Sequence, residues 1–165
     1  MAFAAKGRAL RLAGALVAVL AIAACAKNPA DVGDLTGAGR YDAPGSPQDF
    51  VVNVGDRVFF ETDSVELTPT AQATLDKQAR WLQQYNRYSF TIEGHADERG
   101  TREYNFALGS QRAEATKNYL AARGISPARM HTVSYGKERP VAVCNDISCW
   151  SQNRRAVTVL SGGQS

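Results

Sequence analysis

The sequence has no excess of charge outside its first few residues. Of its 19 lysines and arginines, Lys6, Arg8 and Arg11 lie within the first eleven residues, where no acidic residue occurs. The rest of the chain therefore carries 16 basic and 16 acidic residues, which cancel. Because a neutral body has no net field to attract a phosphate backbone, general nucleic-acid binding is not expected.

Catalytic and metal-binding signatures are also scarce. The 165 residues include two histidines and three cysteines, with no Gly-x-Ser-x-Gly elbow and no glycine-rich cradle for phosphates. A metal or acid–base cluster could be drawn only from His95, Asp97, Glu98 and His131. Their spacing does not match the helical histidine spacing of metalloproteases. Enzymatic activity, a metal site and a cofactor are therefore not expected.

No hydrophobic run is as long as a membrane-spanning helix. The longest apolar run without charge, residues 12–24, has thirteen residues (LAGALVAVLAIAA), whereas a spanning helix needs about twenty. A basic start, a short apolar region and small residues at its end are typical of a secretory signal peptide. We therefore interpret residues 1–24 as a signal peptide, and a short uncleaved anchor is the alternative.

The segment Ile22–Cys25 resembles the bacterial lipobox, in which the cysteine is lipidated and becomes the new N-terminus. Several acyl chains on Cys25 would anchor the protein firmly, whereas one chain holds a protein only marginally. Ala26 replaces the Asp that usually signals retention in the inner membrane, so we expect the outer membrane, facing the periplasm. Residues 25–49 would comprise the lipidated cysteine and a flexible tether, since residues 26–49 include four glycines and three prolines.

Two further cysteines lie near the C-terminus. If the leader is a secretory signal, Cys144 and Cys149 reach an oxidising compartment, and we expect a disulfide between them. It would close a loop of six residues and contribute about 2 kcal/mol of stability. We interpret this bridge as a staple on a surface loop with no catalytic task.

From Phe50 onward the sequence alternates between strand and helix patterns. Thr68 and Pro69 form a helix start, and Gly124 ends the second long helix. Two short β-prone runs, residues 51–54 and 58–60, precede strands at 88–93, 130–135 and 156–160, and helices are predicted at 68–85, 101–123 and 146–153. This order predicts an α/β two-layer sandwich over residues 50–165, with a mixed four-stranded sheet and helices packed on one face.

One arginine interrupts the predicted inner face of the second helix. Arg112 falls on a line of mostly apolar residues spaced four apart, and a buried guanidinium needs a partner. The turn at residues 94–101 supplies Asp97 or Glu98 and leads into a helix N-terminus that can receive an anion. Asp97 and Arg112 could simply pair and brace the loop. Alternatively, they stand apart and share a zwitterionic ligand, with its ammonium on Asp97 and its carboxylate on Arg112.

Three blocks of the sequence resemble the OmpA-like domain family. The first is EGHADERGT at residues 93–101 with Tyr104, Asn105, Leu108 and Arg112 behind it, and the others are YGKERP at 135–140 and NRRAV at 153–157. The resemblance covers about residues 57–160, in the right order and spacing. Together with the lipobox and the short tether, these blocks resemble the lipid-anchored members of this family.

The resemblance implies that the ligand is the meso-diaminopimelate side chain of the peptidoglycan stem peptide. The acidic loop residue of the family falls on Asp97 and its helix arginine on Arg112, the two residues that the spacing had already singled out. Further pocket residues of the family fall on Asp63, Thr101, Asn105 and Leu108. Arg154 and Arg155 match the closing block of the family, where we expect a framework or rim role, and a binding role is the alternative.

The resemblance also implies partners beyond peptidoglycan. The lipid-anchored members engage the periplasmic protein TolB within the Tol-Pal system, which draws the outer membrane inward at cell division. This partner rests on the resemblance alone. A structural lipoprotein without a ligand is the competing interpretation, and binding to insoluble peptidoglycan sacculi would separate the two.

Overall fold

The computed structural model of the protein describes residues 43–161. Its strands are β1 (Arg57–Phe59), β2 (Ser89–His95), β3 (Met130–Gly136) and β4 (Arg155–Ser161), and its longer helices are α1 (Pro69–Gln84), α2 (Arg102–Ala122) and α3 (Ile147–Asn153). The strands form one sheet in the order β1-β4-β2-β3. β4 is antiparallel to β1 and β2, whereas β3 is parallel to β2. The predicted α/β sandwich with a mixed four-stranded sheet is therefore confirmed.

The hydrophobic core lies between the sheet and the helices α1 and α2. Successive side chains of a strand point to opposite faces, so Phe90 and Ile92 of β2 face the helices together. The buried cluster takes Val58, Phe90, Ile92, Met130 and Ala156 from the strands, and Leu75, Leu82, Ala113 and Leu120 from the two helices. A 3₁₀ turn at Pro127–Arg129 leads from the second helix into β3.

Two threonines cap the long helices. The side chains of Thr68 and Thr101 accept hydrogen bonds from the backbone N–H groups three residues later, both at 3.2 Å. Gly124, with a φ of 89°, follows the end of α2. Because capping and glycine signals are local, the three helices begin and end within one residue of the predicted bounds.

The carboxyl half of β2 is pressed against α2 at two glycines. A Cβ atom on Gly94 would lie 1.8 Å from the carbonyl oxygen of Gly109. A Cβ atom on Gly109 would lie 2.9 Å from the carbonyl oxygen of Gly94. Any larger residue would force the strand and the helix apart. This contact fixes the N-terminal half of α2 beside the loop that follows β2.

The β-prone run at residues 51–54 is helical in the structure, so its assignment as a strand is wrong. Phe50–Gly55 forms a π-helical segment, and Ser46 caps the helical turn just upstream. Phe50 is fully buried, with its ring centroid 4.9 Å from that of Trp81. Burial of this large ring, together with the helix-start signal, outweighs the β-propensity of the three valines in the segment.

Residues 43–49 pack against the domain, although the sequence assigned them to the tether. They include one turn of α-helix, Pro47–Asp49. The carbonyl oxygen of Gly45 accepts a hydrogen bond from the Tyr88 hydroxyl at 2.8 Å, and Asp49 Oδ2 accepts one from Trp81 Nε1 at 2.8 Å. Buried aromatic rings with polar tips need such partners, and the chain upstream supplies them. The packed part of the chain therefore extends upstream of Phe50.

Candidate binding site

A pocket of about 280 Å³ lies where the segment after β1, the loop after β2 and the first half of α2 meet. It is lined by Thr62, Asp63, Asp97, Arg99, Gly100, Tyr104, Asn105, Leu108 and Arg112. Five of the six predicted pocket residues are in this lining. The sixth, Thr101, is the N-cap of α2 and accepts a hydrogen bond from the backbone of Tyr104.

Arg112 is fully buried and is held by backbone carbonyl groups. Its Nε donates to Ser64 O at 2.9 Å, its Nη1 to His95 O at 2.9 Å and its Nη2 to Glu61 O at 3.1 Å. Burial, followed by repulsion from Arg154, lowers the pKa of Arg112 to about 10, so the guanidinium remains charged near pH 7. A fixed cation therefore lies in the wall of the pocket.

Asp97 is held by two arginines. Arg99 makes a two-pronged contact with it, from Nε to Oδ1 at 3.0 Å and from Nη2 to Oδ2 at 2.7 Å. Arg154 Nη1 donates to Oδ2 at 3.4 Å. Burial acts to raise the pKa of Asp97, but the hydrogen bonds from Arg99 and Arg154 outweigh it and hold the pKa below its usual value. The carboxylate is therefore ionised near neutral pH.

Asp97 and Arg112 line the same pocket but are not bonded to each other. Within the described residues, the ion pairs of Asp97 are with Arg99 and Arg154, and the hydrogen bonds of Arg112 are with carbonyl groups. The charges are close enough for Asp97 to act on the pKa of Arg112, which it raises against the effect of burial. Asp97 and Arg112 therefore do not form the direct ion pair that would brace the loop.

Side chains from α2 and from the residue after β3 hold the loop after β2 in place. Asn105 Nδ2 donates to the carbonyl oxygen of Arg99 at 2.7 Å. Lys137 Nζ donates to Glu98 O at 3.1 Å and to Gly100 O at 2.6 Å. Gly100 has a φ of 87°, a conformation that favours glycine. The predicted pocket residue Asn105 therefore fixes the loop backbone as well as lining the pocket.

Asp63 lines the pocket from the segment after β1. It is the only non-glycine residue with a positive φ, 56°, among residues 43–161. Aspartate tolerates this left-handed conformation better than most residues, and such conformations are enriched at functional sites. Its Oδ1 accepts a hydrogen bond from the Tyr104 hydroxyl. The segment after β1 and helix α2 are thereby linked beside the pocket.

An aromatic side chain supports the exposed arginine of the loop. The Arg99 guanidinium carbon lies 4.1 Å from the ring centroid of Trp150, which stands on α3. The indole N–H of Trp150 donates to the side chain of Glu98. Cys149 of this helix forms a disulfide with Cys144, with a Cα–Cα distance of 5.7 Å. The disulfide therefore lies near the loop that carries Asp97.

Two residues of this site were not predicted from the sequence as contacts. Arg154 was expected to have a framework or rim role, yet its side chain reaches Asp97. Trp150 was not singled out, yet it stacks on Arg99. Neither contact follows a local spacing, because α3 and the residue after it meet the loop only through the tertiary fold. The one signal in the sequence is the pair Arg154 and Arg155, which matches the closing block of the family but does not reveal the partner of either side chain.

Neither ring nitrogen of His95 bonds to the acidic residues of the binding loop. His95 is buried beside the Tyr135 ring, with its Nε2 3.5 Å from Glu93 Oε2, and both ring nitrogens lack hydrogen-bond partners. Burial, followed by the charges of Arg155 and Arg139, lowers its pKa to about 4, so the imidazole is neutral near pH 7. Among residues 43–161 no group of three His, Cys, Asp or Glu side chains is arranged to hold a metal ion.

The membrane-related predictions concern residues that the structure does not describe. The predicted signal peptide and the predicted lipidation site, Cys25, both lie outside residues 43–161. Within that range, no helix has the length and apolar character needed to cross a bilayer. The expected anchor thus stays a prediction.

Known proteins resemble the chain over most of its length. It matches the OmpA family at residues 59–154. It is 62% identical, over 156 residues and 92% of each chain, to the peptidoglycan-associated lipoprotein of Mesorhizobium japonicum. It is 65% identical over 155 residues to the peptidoglycan-associated lipoprotein of Rhizobium meliloti, covering 92% of this chain and 88% of that one.

Solved structures share the fold. The crystal structure of the peptidoglycan-associated lipoprotein from Burkholderia pseudomallei superposes with a TM-score of 0.65 at 41% identity, covering 73% of this chain and 98% of that chain. The C-terminal domain of Helicobacter pylori MotB, at 21% identity and a TM-score of 0.60, covers 64% of this chain and 84% of that one and shows the fold alone. The chain therefore belongs to the OmpA family, among its peptidoglycan-associated lipoproteins.

Proposed function

We propose that this protein binds the meso-diaminopimelate side chain of the peptidoglycan stem peptide in the pocket between Asp97 and Arg112. The observation that carries the proposal is that these opposite charges line one pocket without bonding to each other. The free amino-acid centre of diaminopimelate carries an ammonium and a carboxylate on one carbon. Such a zwitterion complements the pocket, and the names of the relatives support peptidoglycan as the polymer.

The guanidinium of Arg112 is suited to the carboxylate of this ligand. A guanidinium has five N–H donors, and Arg112 uses one on each of its three nitrogens for backbone carbonyl groups. One N–H on Nη1 and one on Nη2 remain available for a carboxylate, the group that a guanidinium binds through paired N–H donors. Because the three carbonyl contacts fix the side chain, little rotational entropy is lost when the ligand binds.

The carboxylate of Asp97 is suited to the ammonium. Both of its oxygens accept hydrogen bonds from Arg99. The side chain of Arg99 is 41% exposed, whereas that of Arg154 is 5% exposed. The ammonium can therefore replace Arg99 at the pocket surface, and the released guanidinium returns to water at little cost.

The expected affinity for a single stem peptide is modest. Charge-assisted hydrogen bonds contribute about 1.5–3 kcal/mol each when they are sheltered, which with the cost of association gives a dissociation constant on the order of micromolar. Many copies of the protein facing one polymer would add avidity. Retention on sacculi should therefore exceed what the affinity for a free peptide indicates.

The test is retention of the full chain on purified peptidoglycan sacculi, with and without a competing soluble peptide. A peptide with free meso-diaminopimelate should release the protein, and a peptide with the amidated carboxylate should compete poorly. Asp97→Ala should abolish most of the retention. Glu103→Ala is the matched control, because Glu103 is an exposed acid at the start of α2 and outside the pocket lining. Equal competition by both peptides would contradict the role of Arg112.

Lipidation of Cys25 would fasten the protein to the periplasmic face of the outer membrane. The lipobox at residues 22–25 and the absence of Asp at position 26 support this part of the proposal. Cys25→Ser should release the protein into the soluble periplasmic fraction. Continued fractionation with membranes would contradict the lipid anchor.

By resemblance, the protein would act with TolB in the Tol-Pal system during cell division. Co-purification of TolB with the full chain, compared with a parallel preparation that lacks it, tests this partner. The competing interpretation, a structural lipoprotein without a ligand, predicts no retention on sacculi. We expect no catalysis, and release of stem peptides from purified peptidoglycan in the presence of zinc would overturn that expectation.

A further inference from the structure

We propose that Arg154 is a positioning residue for this site: its buried guanidinium holds the Asp97 carboxylate in place while the exposed guanidinium of Arg99 exchanges for the cation of the ligand. The inference rests on the proposed function, because it assumes that Asp97 accepts the ammonium of a diaminopimelate peptide. It concerns a residue outside the pocket lining, which we expect to act through Asp97 without touching the ligand.

Arg154 is fixed on three sides before it reaches Asp97. Its backbone N–H donates to Trp150 O at 3.1 Å, and its carbonyl oxygen accepts from Phe60 N at 2.9 Å. Its Nε donates to Phe60 O at 2.9 Å. Backbone and side chain are thus tied to the end of β1 and to the last turn of α3. Nη1 then lies 3.4 Å from Asp97 Oδ2, so this buried arginine joins the carboxylate to two elements of the fold.

The two arginines on Asp97 differ in what they can do when a ligand arrives. The Arg99 guanidinium is closer to the carboxylate, but it is half-exposed and belongs to the same loop as Asp97. Its hydrogen bonds to Asp97 therefore stay within one loop, and its contact with the rest of the domain is the stacking on Trp150. Arg154 is buried and lies 57 residues away in the sequence, so its contact orients Asp97 relative to the sheet. If the ammonium replaces Arg99, Arg154 is the arginine that remains on the carboxylate.

The charges around Asp97 determine how the loss of Arg154 would appear in an experiment. Arg99 faces the carboxylate from its own loop, Arg154 from the residue after α3 and Arg112 from α2, while Asp63 is the other acid in the pocket. Arg154 lowers the pKa of Asp97. Without it, the carboxylate should take up a proton at a higher pH and lose the ammonium there.

The test measures retention on sacculi between pH 3 and pH 8 for wild type, Arg154→Gln and Arg155→Gln, each as the full chain. Arg155 is the matched control, because it is also buried but donates to Asn153 O and Arg139 O instead of to Asp97. For Arg154→Gln we expect about tenfold weaker retention near pH 7 and an acid midpoint at a higher pH than in wild type. For Arg155→Gln we expect the wild-type midpoint.

A purely structural role would give a different result. Arg154→Gln and Arg155→Gln would then both lower the unfolding temperature, and the retention of the folded fraction would keep the wild-type pH profile. An unmoved midpoint in Arg154→Gln, or the same shift in both variants, overturns the inference. The fraction of folded protein at each pH is measured by circular dichroism.

Arg154→Lys keeps the test valid if Arg154→Gln does not fold. Lysine keeps the positive charge but cannot donate to Phe60 O and Asp97 Oδ2 from one planar group. We expect at least threefold weaker retention with the acid midpoint of wild type, and wild-type retention would overturn the inference. Wild-type protein that is not released from sacculi by diaminopimelate peptide would contradict the proposed function itself. If the wild type is released by the peptide and the Arg154 variants behave like the wild type, only the inference is contradicted.

Discussion

The two charged halves of the pocket are built in opposite ways. Arg112 is fully buried, and its partners are three neutral carbonyl groups of the backbone. Asp97 is held by charged side chains, of which Arg99 is 41% exposed at its side chain. Arg112 thus belongs to the rigid framework that joins α2 to the segment after β1. Asp97 lies on a loop, and its exposed partner Arg99 can be displaced.

This difference has consequences for binding and for stability. A cation whose partners are backbone groups cannot be moved without disturbing those groups, so it is preorganised for a ligand carboxylate. A carboxylate with a half-exposed arginine on it presents its charge only after that arginine is exchanged. Substitutions in the Arg112 half should therefore affect folding and binding together, whereas those in the Asp97 half should affect mainly binding.

Arg112→Lys should have the largest effect. A lysine ammonium is a single point and cannot donate to Ser64 O, His95 O and Glu61 O in the fork geometry, so at least one buried carbonyl loses its donor. Each orphaned group costs about 1–3 kcal/mol of unfolding free energy. We expect urea denaturation to show this loss and sacculus retention to fall more than tenfold. Arg102→Lys is the control, because the side chain of Arg102 is 74% exposed, and a comparable loss there would contradict the assignment.

Acidification should lower the free energy of unfolding through protonation of His95. This residue adjoins the Arg112 half of the pocket, because its carbonyl oxygen accepts a hydrogen bond from Arg112. The imidazole has a pKa lowered from 6.5 to about 4 by burial, so on acidification the unfolded chain binds its proton first. The stability is therefore complete above about pH 6.5 and is lost as the pH falls towards 4. The full shift corresponds to about 3 kcal/mol, and solvent screening reduces the expected loss to about 2 kcal/mol.

Urea denaturation at pH 7 and pH 4.5 measures this loss of stability. His95→Phe keeps a ring beside Tyr135 and has no titrating nitrogen, so its unfolding free energy should depend less on pH over this range. His131→Phe is the control, because His131 is exposed on β3, and it should keep the wild-type dependence. An unchanged dependence in His95→Phe would show that other groups cause the acid sensitivity.

Asp97→Asn tests the half that we expect to affect mainly binding. The amide has the size of the carboxylate but cannot form a charge-assisted bond with the ammonium of the ligand, so retention on sacculi should fall about tenfold or more. Its unfolding free energy should fall less than that of Arg112→Lys, because Asp97 leaves no buried carbonyl without a donor. A larger loss of stability in Asp97→Asn than in Arg112→Lys would reverse the comparison between the two halves.

Local signals made much of the fold and half of the site predictable. Thr68 with Pro69 and Gly124 fix helix ends through contacts only a few residues long, and Arg112 stood out because a cation interrupts an apolar line. The run at residues 51–54 was misread because the helical segment is held by the burial of Phe50 against Trp81, which lies on a different element. Arg154 was underestimated because its contact with Asp97 joins residues 57 positions apart. Sequence spacing carries no trace of such a contact.

Arg99→Gln should have the smallest effect, and its sign decides whether the Asp97 half works by exchange. Exposed ion pairs are weak, so removing the arginine that covers the carboxylate should strengthen binding of a diaminopimelate peptide only roughly threefold. Arg102→Gln is the control, since the ion pair of Arg102 is with Glu138, outside the pocket lining. Calorimetry on both variants measures the change. Weaker binding by Arg99→Gln would mean that Arg99 contacts the ligand, because an arginine that only occupies the carboxylate can be lost without cost to the complex.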